Sequence, residues 1–196
     1  MKAAPRLARK SGRLFAALAL VALVAFAPLF IVADARAQTR AASTQLRLRV
    51  GRDGRNVLLV ERGRAHSLPL GDSVGAARIE EAKLLFVTRR GEFTYLLIDV
   101  CGMSKRRPDD RQCGAGRECN VVWVKLDARR RVADARSELY ESCWLPVTSE
   151  DGPKVSGRRM KLSLENLREW VRKEVGYDAE RPEQGLTFEF FAIPKN

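Results

Sequence analysis

A mainly β domain, stapled by disulfides and carried behind an export signal, is what this sequence predicts. Three observations lead there. Short runs of alternating or continuous apolar residues recur between Gly-, Asp- and Arg-rich turns, which is the pattern of strands and hairpins. Four cysteines, an even number, all lie beyond residue 100. The chain also opens on a basic stretch followed by an apolar one. The expected architecture is a single antiparallel sheet or sandwich-like β domain with one C-terminal helix and two disulfides, α+β being the alternative class.

Residues 1–13 carry Lys2, Arg6, Arg9, Lys10 and Arg13 and no acid. Residues 14–33 are apolar, interrupted by Pro28, and Ala35-Arg36-Ala37 then precedes Gln38. These are the basic, apolar and small-residue parts of a secretory signal peptide. A run of about 20 apolar residues is also long enough to span a bilayer, but Pro28 and the A-x-A exit favour cleavage. No Cys lies near residue 37 to take a lipid, and no Arg pair precedes the apolar run. The expected organisation is therefore a cleaved signal at 1–37, a flexible lead-in at 38–45 and one domain at 46–196. Its location is the periplasm or the medium, with no membrane span after cleavage. The signal takes six bases and one acid with it, so the formal charge falls from +12 to +7 over the remaining 159 residues.

Within 46–196, Leu46, Leu48 and Val50 alternate with Arg47 and Arg49, as in a half-buried strand. Turn residues at 51–54 lead to a strand from 57 to 60, and Arg62-Gly63 to another at 65–70. The runs 83–88 and 93–100 flank Arg89-Arg90-Gly91-Glu92 and predict a hairpin at the centre of the core. Residues 121–126 predict the next strand, after a long irregular loop at 102–118, and 127–131 a hairpin into a strand at 132–142. A strand to about 162 is expected next. From Ser163 the spacing of Leu164, Leu167, Trp170, Val171 and Val175 predicts a helix closed by Gly176. A turn at 182–185 and a closing strand at 186–192 complete the chain.

The cysteines read as staples in an exported chain. If the strands ending at Cys101 and beginning at Cys119 are antiparallel neighbours, those two bridge, which pairs Cys113 with Cys143 across the loop. Zinc would want Cys or His ligands two to four residues apart, a spacing these cysteines lack, and the sole histidine, His66, is remote. No metal, cofactor or catalytic residue is expected. Gly71-Asp72-Ser73-Val74-Gly75 matches the nucleophile-elbow pattern, yet its histidine would have to follow in the chain, and His66 precedes it. It reads as a surface turn. The stretch 113–119 is glycine-rich but lacks the Lys-Ser/Thr of a phosphate loop.

Basic clusters at Lys105-Arg106-Arg107, Arg129-Arg130-Arg131, Arg158-Arg159 and Arg89-Arg90 all fall in expected turns or loops. None has the interleaved aromatics of a nucleic-acid surface, so anionic envelope components fit better: lipopolysaccharide, acidic polysaccharide or lipid head groups. Three classes of function follow. The favoured one is an exported bacterial binding module whose ligand contacts are Lys105, Arg106 and Arg107, with the hairpin tip 129–131 merely solvated. The others are a carboxylate hydrolase using Asp99, Asp109, Asp110 or Glu118, and an assembly or inhibitor protein that meets a protein partner through an edge strand.

Overall fold

The two most apolar strands of the chain explain its architecture. In a computed structural model, which describes residues 46–105, 116–147, 149, 151–166 and 170–194, β5 (Phe93–Met103) and β6 (Arg117–Leu126) lie side by side in the middle of the domain. Both of their faces are covered. Leu96, Ile98, Val100, Val122, Val124 and Leu126 point into one core, while Tyr95, Leu97, Val121 and Trp123 point into a second. A strand buried on both sides needs apolar residues at successive positions instead of every other one.

The flanking strands β4 (Arg78–Arg90) and β7 (Val132–Ser142) complete a central sheet of order β4-β5-β6-β7, antiparallel throughout. Against its first face pack β1 (Leu46–Val50), β2 (Val57–Glu61) and β3 (Arg64–Leu68), a three-stranded meander that contributes Leu46, Val57, Leu59 and Leu68. Against its second face pack β8 (Lys154–Ser156), β9 (Arg159–Asn166), β10 (Val171–Asp178) and β11 (Thr187–Ala192), in the order β11-β10-β9-β8. Met160, Leu162, Leu164, Val175 and Tyr177 bring the second core its outer wall. The expected mainly β, antiparallel class holds, as three sheets stacked around two cores.

The expected C-terminal helix does not form. Residues 163–166 continue β9, and 171–178 are β10, paired with β9 from Val171↔Asn166 to Asp178↔Arg159. The helical spacing of Leu164, Trp170, Val171 and Val175 competes with a two-residue alternation of Met160, Leu162 and Leu164, then Val175 and Tyr177. The alternation wins because the flat second face of the central sheet needs a flat partner. Trp170, at φ 53°, turns the chain between the two strands. Gly176 closes no helix; it lies inside β10 opposite Thr187, whose Oγ1 stands 2.7 Å from where a Cβ would sit.

The irregular loop is shorter than the sequence suggests. Gly102, Met103, Arg117 and Glu118 belong to the ladder, with Gly102 opposite Glu118 and Met103 opposite Arg117. Gly102 is required there, since a Cβ would collide with the Arg78 carbonyl of β4. Only 104–116 remains between the two strands, of which 106–115 lies outside the described residues, as do the expected signal and lead-in at 1–45. Among the described residues no helix is long and apolar enough to cross a membrane.

Candidate functional site

The neck of the 104–116 loop is built around a buried carboxylate. Glu118, facing the first core, accepts the Ser104 hydroxyl at 2.7 Å and the Cys143 N–H at 3.2 Å. The Ser104 N–H donates to the Gly116 carbonyl at 2.9 Å, which brings the two ends of the loop together. Of the three expected ligand contacts, Lys105 is exposed beside a cleft of about 630 Å³, while Arg106 and Arg107 lie outside the described residues. That cleft also holds Asp53, Arg55 and Asp72, so its charge is mixed.

Cys101 and Cys119 stand directly opposite each other in the β5–β6 register and are bridged, with Cα atoms 4.2 Å apart. That separation is near the narrower of the two spacings in an antiparallel ladder. The bridge faces the second core, where both cysteines are buried. The other expected bridge runs to Cys113, outside the described residues; Cys143 is disulfide-bonded. Replacing Cys101 and Cys119 together by alanine should lower unfolding free energy by about 3 kcal/mol, given the 18-residue separation. Urea denaturation of the double variant measures this. A loss below about 0.5 kcal/mol would mean that the bridge adds nothing to the ladder.

Of the carboxylates proposed for hydrolysis, the two that are described do not converge. Asp99 and Glu118 project to opposite faces of the central sheet, because Asp99 shares the side of Leu97 and Cys101 whereas Glu118 shares that of Asn120 and Val122. Burial raises the Asp99 carboxyl above its ordinary value, against the Tyr140 hydroxyl, which donates to Asp99 Oδ1 at 2.7 Å and lowers it. Asp109 and Asp110 lie outside the described residues. The Gly71–Gly75 motif forms one helical turn, Gly71–Val74, ended by Gly75 at φ 71°. It is more than a surface turn: Val74 enters the first core and its carbonyl accepts the buried Asn120 amide at 2.9 Å. His66 sits on β3 opposite Leu59. Among the described residues no group of His, Cys, Asp and Glu is arranged to hold a metal ion.

Basic clusters that read as solvated turns are engaged by acids. Glu61 on β2 holds both Arg89 and Arg130, the latter through two bonds, Nε to Oε2 at 2.7 Å and a terminal nitrogen to Oε1 at 3.0 Å. Arg130 also donates to Thr94 Oγ1 at 2.9 Å. The tip 129–131 is thus not merely solvated, because its middle residue is drawn inward to clamp the first sheet onto the central one. Arg90 pairs with Glu183 at 2.8 Å, Arg131 with Asp127 at 2.7 Å, and Arg158 with Glu180 at 3.5 Å.

The surface that departs most from an ordinary solvated one is β11. Among the described residues this strand has a neighbour on one side only, β10, and all six of its residues are exposed. Phe188, Phe190 and Ala192 share the side of Val175, and Thr187, Glu189 and Phe191 the other. Phe190 is 67% exposed, Phe188 43%, and Phe191 and Trp170 each 38%. Cations already lean on these rings: Lys173 Nζ lies 4.5 Å from the Phe188 centroid, and the Arg172 guanidinium 5.3 Å from that of Phe191. Lys173 is itself tied to Glu138 of β7 at 2.7 Å. Sequence reasoning registers β11 only as a closing strand. A signal is present, because Phe188, Phe190 and Phe191 make both of its faces apolar at the end of the chain. No protein-family profile, no curated protein and no solved structure matches this chain.

Proposed function

We propose that the domain is an exported assembly module that binds protein through the open edge of β11. The observation behind this reading is a run of exposed aromatics on an edge strand whose outward N–H and C=O groups have no sheet partner among the described residues. Natural β proteins blunt such edges with charge, proline or a covering segment, and β11 has one Glu among six residues. Strand addition uses both features, the backbone giving affinity and alternate side chains giving selectivity. The signal at 1–37 and the second bridge, Cys113–Cys143, belong to this reading as its export route and its brace.

The competing readings have less support. Lys105 shares its cleft with Asp53 and Asp72, which weakens the case for Lys105, Arg106 and Arg107 as a site for lipopolysaccharide, acidic polysaccharide or lipid head groups. A carboxylate hydrolase would need two acids facing one space, and Asp99 and Glu118 face opposite ways.

The test is a photo-crosslinking phenylalanine analogue at 190, introduced into the chain in the cells that make it. A covalent adduct is expected from position 190 and none from the exposed Ala133 of β7. Equal yields at both positions, or none at 190, would reject the module.

A further inference from the structure

The backbone and charge pattern of β11 specify one occupant. We infer that the domain pairs with a second copy of itself, β11 against β11 in antiparallel order about a two-fold axis at Phe190; this rests on the reading of β11 as an assembly edge.

The hydrogen-bonding direction of the strand comes first. The Ile193 N–H donates to the Trp170 carbonyl at 2.8 Å, so Ile193 turns its backbone groups towards the β10 side. The β10–β11 register is uninterrupted, and direction alternates along an antiparallel ladder. Phe191, Glu189 and Thr187 therefore also face β10, while Phe188, Phe190 and Ala192 turn their N–H and C=O groups to the open edge. Directly opposed residues must share a face, so Phe188, Phe190 and Ala192 can oppose only one another.

Two copies placed with Phe190 opposite Phe190 set Phe188 opposite Ala192 on both sides of the axis. Every outward donor and acceptor of the strand then finds a partner. Shifting the axis to Glu189 leaves Ala192 opposite Leu186, beyond the strand's start. Charge selects the same register. Glu189 already lies directly opposite Glu174 on β10, and like charges so placed repel. An axis at Glu189 would align four carboxylates in one row, Glu174 and Glu189 from each copy. With the axis at Phe190, Glu189 instead opposes Phe191 of the second copy, next to that copy's Arg172, which pairs with Phe191 across its own ladder. The cross-strand row then reads Glu174, Glu189, Phe191, Arg172, acidic from one copy and basic from the other. On the opposite face the Phe190 rings meet each other, which covers the most exposed aromatic of the strand.

Cysteine placement tests the register on the full exported chain, with its own bridges left intact. Phe190→Cys should form a covalent dimer in air, because opposed residues of the hydrogen-bonded kind have Cα atoms about 5.5 Å apart, within disulfide range. Glu189→Cys should not, its two copies being about 8 Å apart by strand rise and spacing. Both positions are exposed, so neither variant threatens the core. Wild-type chain in sedimentation equilibrium should show a monomer–dimer balance that Phe190→Lys shifts at least tenfold towards monomer. Crosslinking by Glu189→Cys and not by Phe190→Cys overturns this register, and a wild-type monomer at every concentration overturns self-pairing. The adduct from position 190 separates the two readings. Attachment to another protein overturns the dimer alone, whereas attachment to residues 38–45 of the same chain, or absence of any adduct, overturns the module as well.

Discussion

Replacing Trp123 by alanine is expected to destabilise the domain by about 4 kcal/mol, a large fraction of the stability of an ordinary domain. Its indole is 2% exposed in the second core, with its centroid 6.0 Å from that of Tyr95. Truncating a buried Trp removes its transfer free energy and leaves a cavity as well, together about 3–5 kcal/mol. Trp123 does more than fill space. Its Nε1–H donates to the Pro182 carbonyl at 2.9 Å, and its ring lies 3.6 Å from where a Cβ on Gly185 would stand. The central sheet thereby anchors the turn that delivers the chain from β10 to β11. Trp123→Phe keeps most of the apolar area and takes one of two donors from the Pro182 carbonyl, which still accepts the Gly185 N–H at 3.3 Å, so about 1 kcal/mol is expected from that variant. Urea unfolding of both variants checks the pair. If Trp123→Phe costs as much as alanine, the hydrogen bond and not the ring is what matters.

Arg130→Ala should cost about 2–3 kcal/mol, although the residue sits on a hairpin tip. Arg130 and Glu61 are only 18% and 13% exposed in their side chains, and removing one member of a largely buried pair strands the charge of the other. Arg89, still beside Glu61, keeps the cost below the full value for a sealed pair. Backbone conformation gives a control. Arg130 lies at φ 64°, where glycine is unstrained. Arg130→Gly should thus be about 1 kcal/mol less harmful than Arg130→Ala although both delete the same ion pair. The pH dependence has a definite sign. The Arg130 hydrogen bond holds the Glu61 carboxyl below its ordinary value, burial opposes this, and the charges of Arg130 and Arg89 lower it further. A depressed carboxyl stabilises the fold above the unfolded glutamate value of about 4.3, and that contribution fades as pH falls through the lower folded value. Stability measured from neutral pH into acid should therefore fall less steeply in Arg130→Ala than in the native chain.

Much of the fold is legible in the residues, and the failures have physical causes. The near-continuous apolar runs at 93–100 and 121–126 mark the centre, because only a strand covered on both faces can be apolar throughout. Cys101 and Cys119 can be paired from the ends of those strands alone, since neighbouring antiparallel strands leave little freedom in which residues meet. The stretch 163–176 misleads because Leu164, Val171 and Val175 satisfy both periods at once, and the choice is made by the flat sheet they pack against. Arg130 looks solvated because Glu61, its partner, is 69 residues away. The exposure of β11 is equally invisible, because an apolar strand at the end of a chain reads as core until the sheet shows which side is open.

The order of strands also bears on how fast the chain can reach this state. Within each of the three sheets every strand pairs with its neighbour in sequence, so most ladders close over no more than a hairpin. The widest span in the central sheet crosses 104–116, and the entropy of closing a loop grows only with the logarithm of its length. Low contact order of this kind places a protein towards the rapid end of all-β folding rates. Both outer meanders, however, must wait for the same four central strands before either has anything to cover. The rate-limiting step is accordingly expected to be the assembly of β4–β7, and the Cys101–Cys119 bridge joins the two middle strands of that sheet near one end, where antiparallel pairing sets the two segments in register.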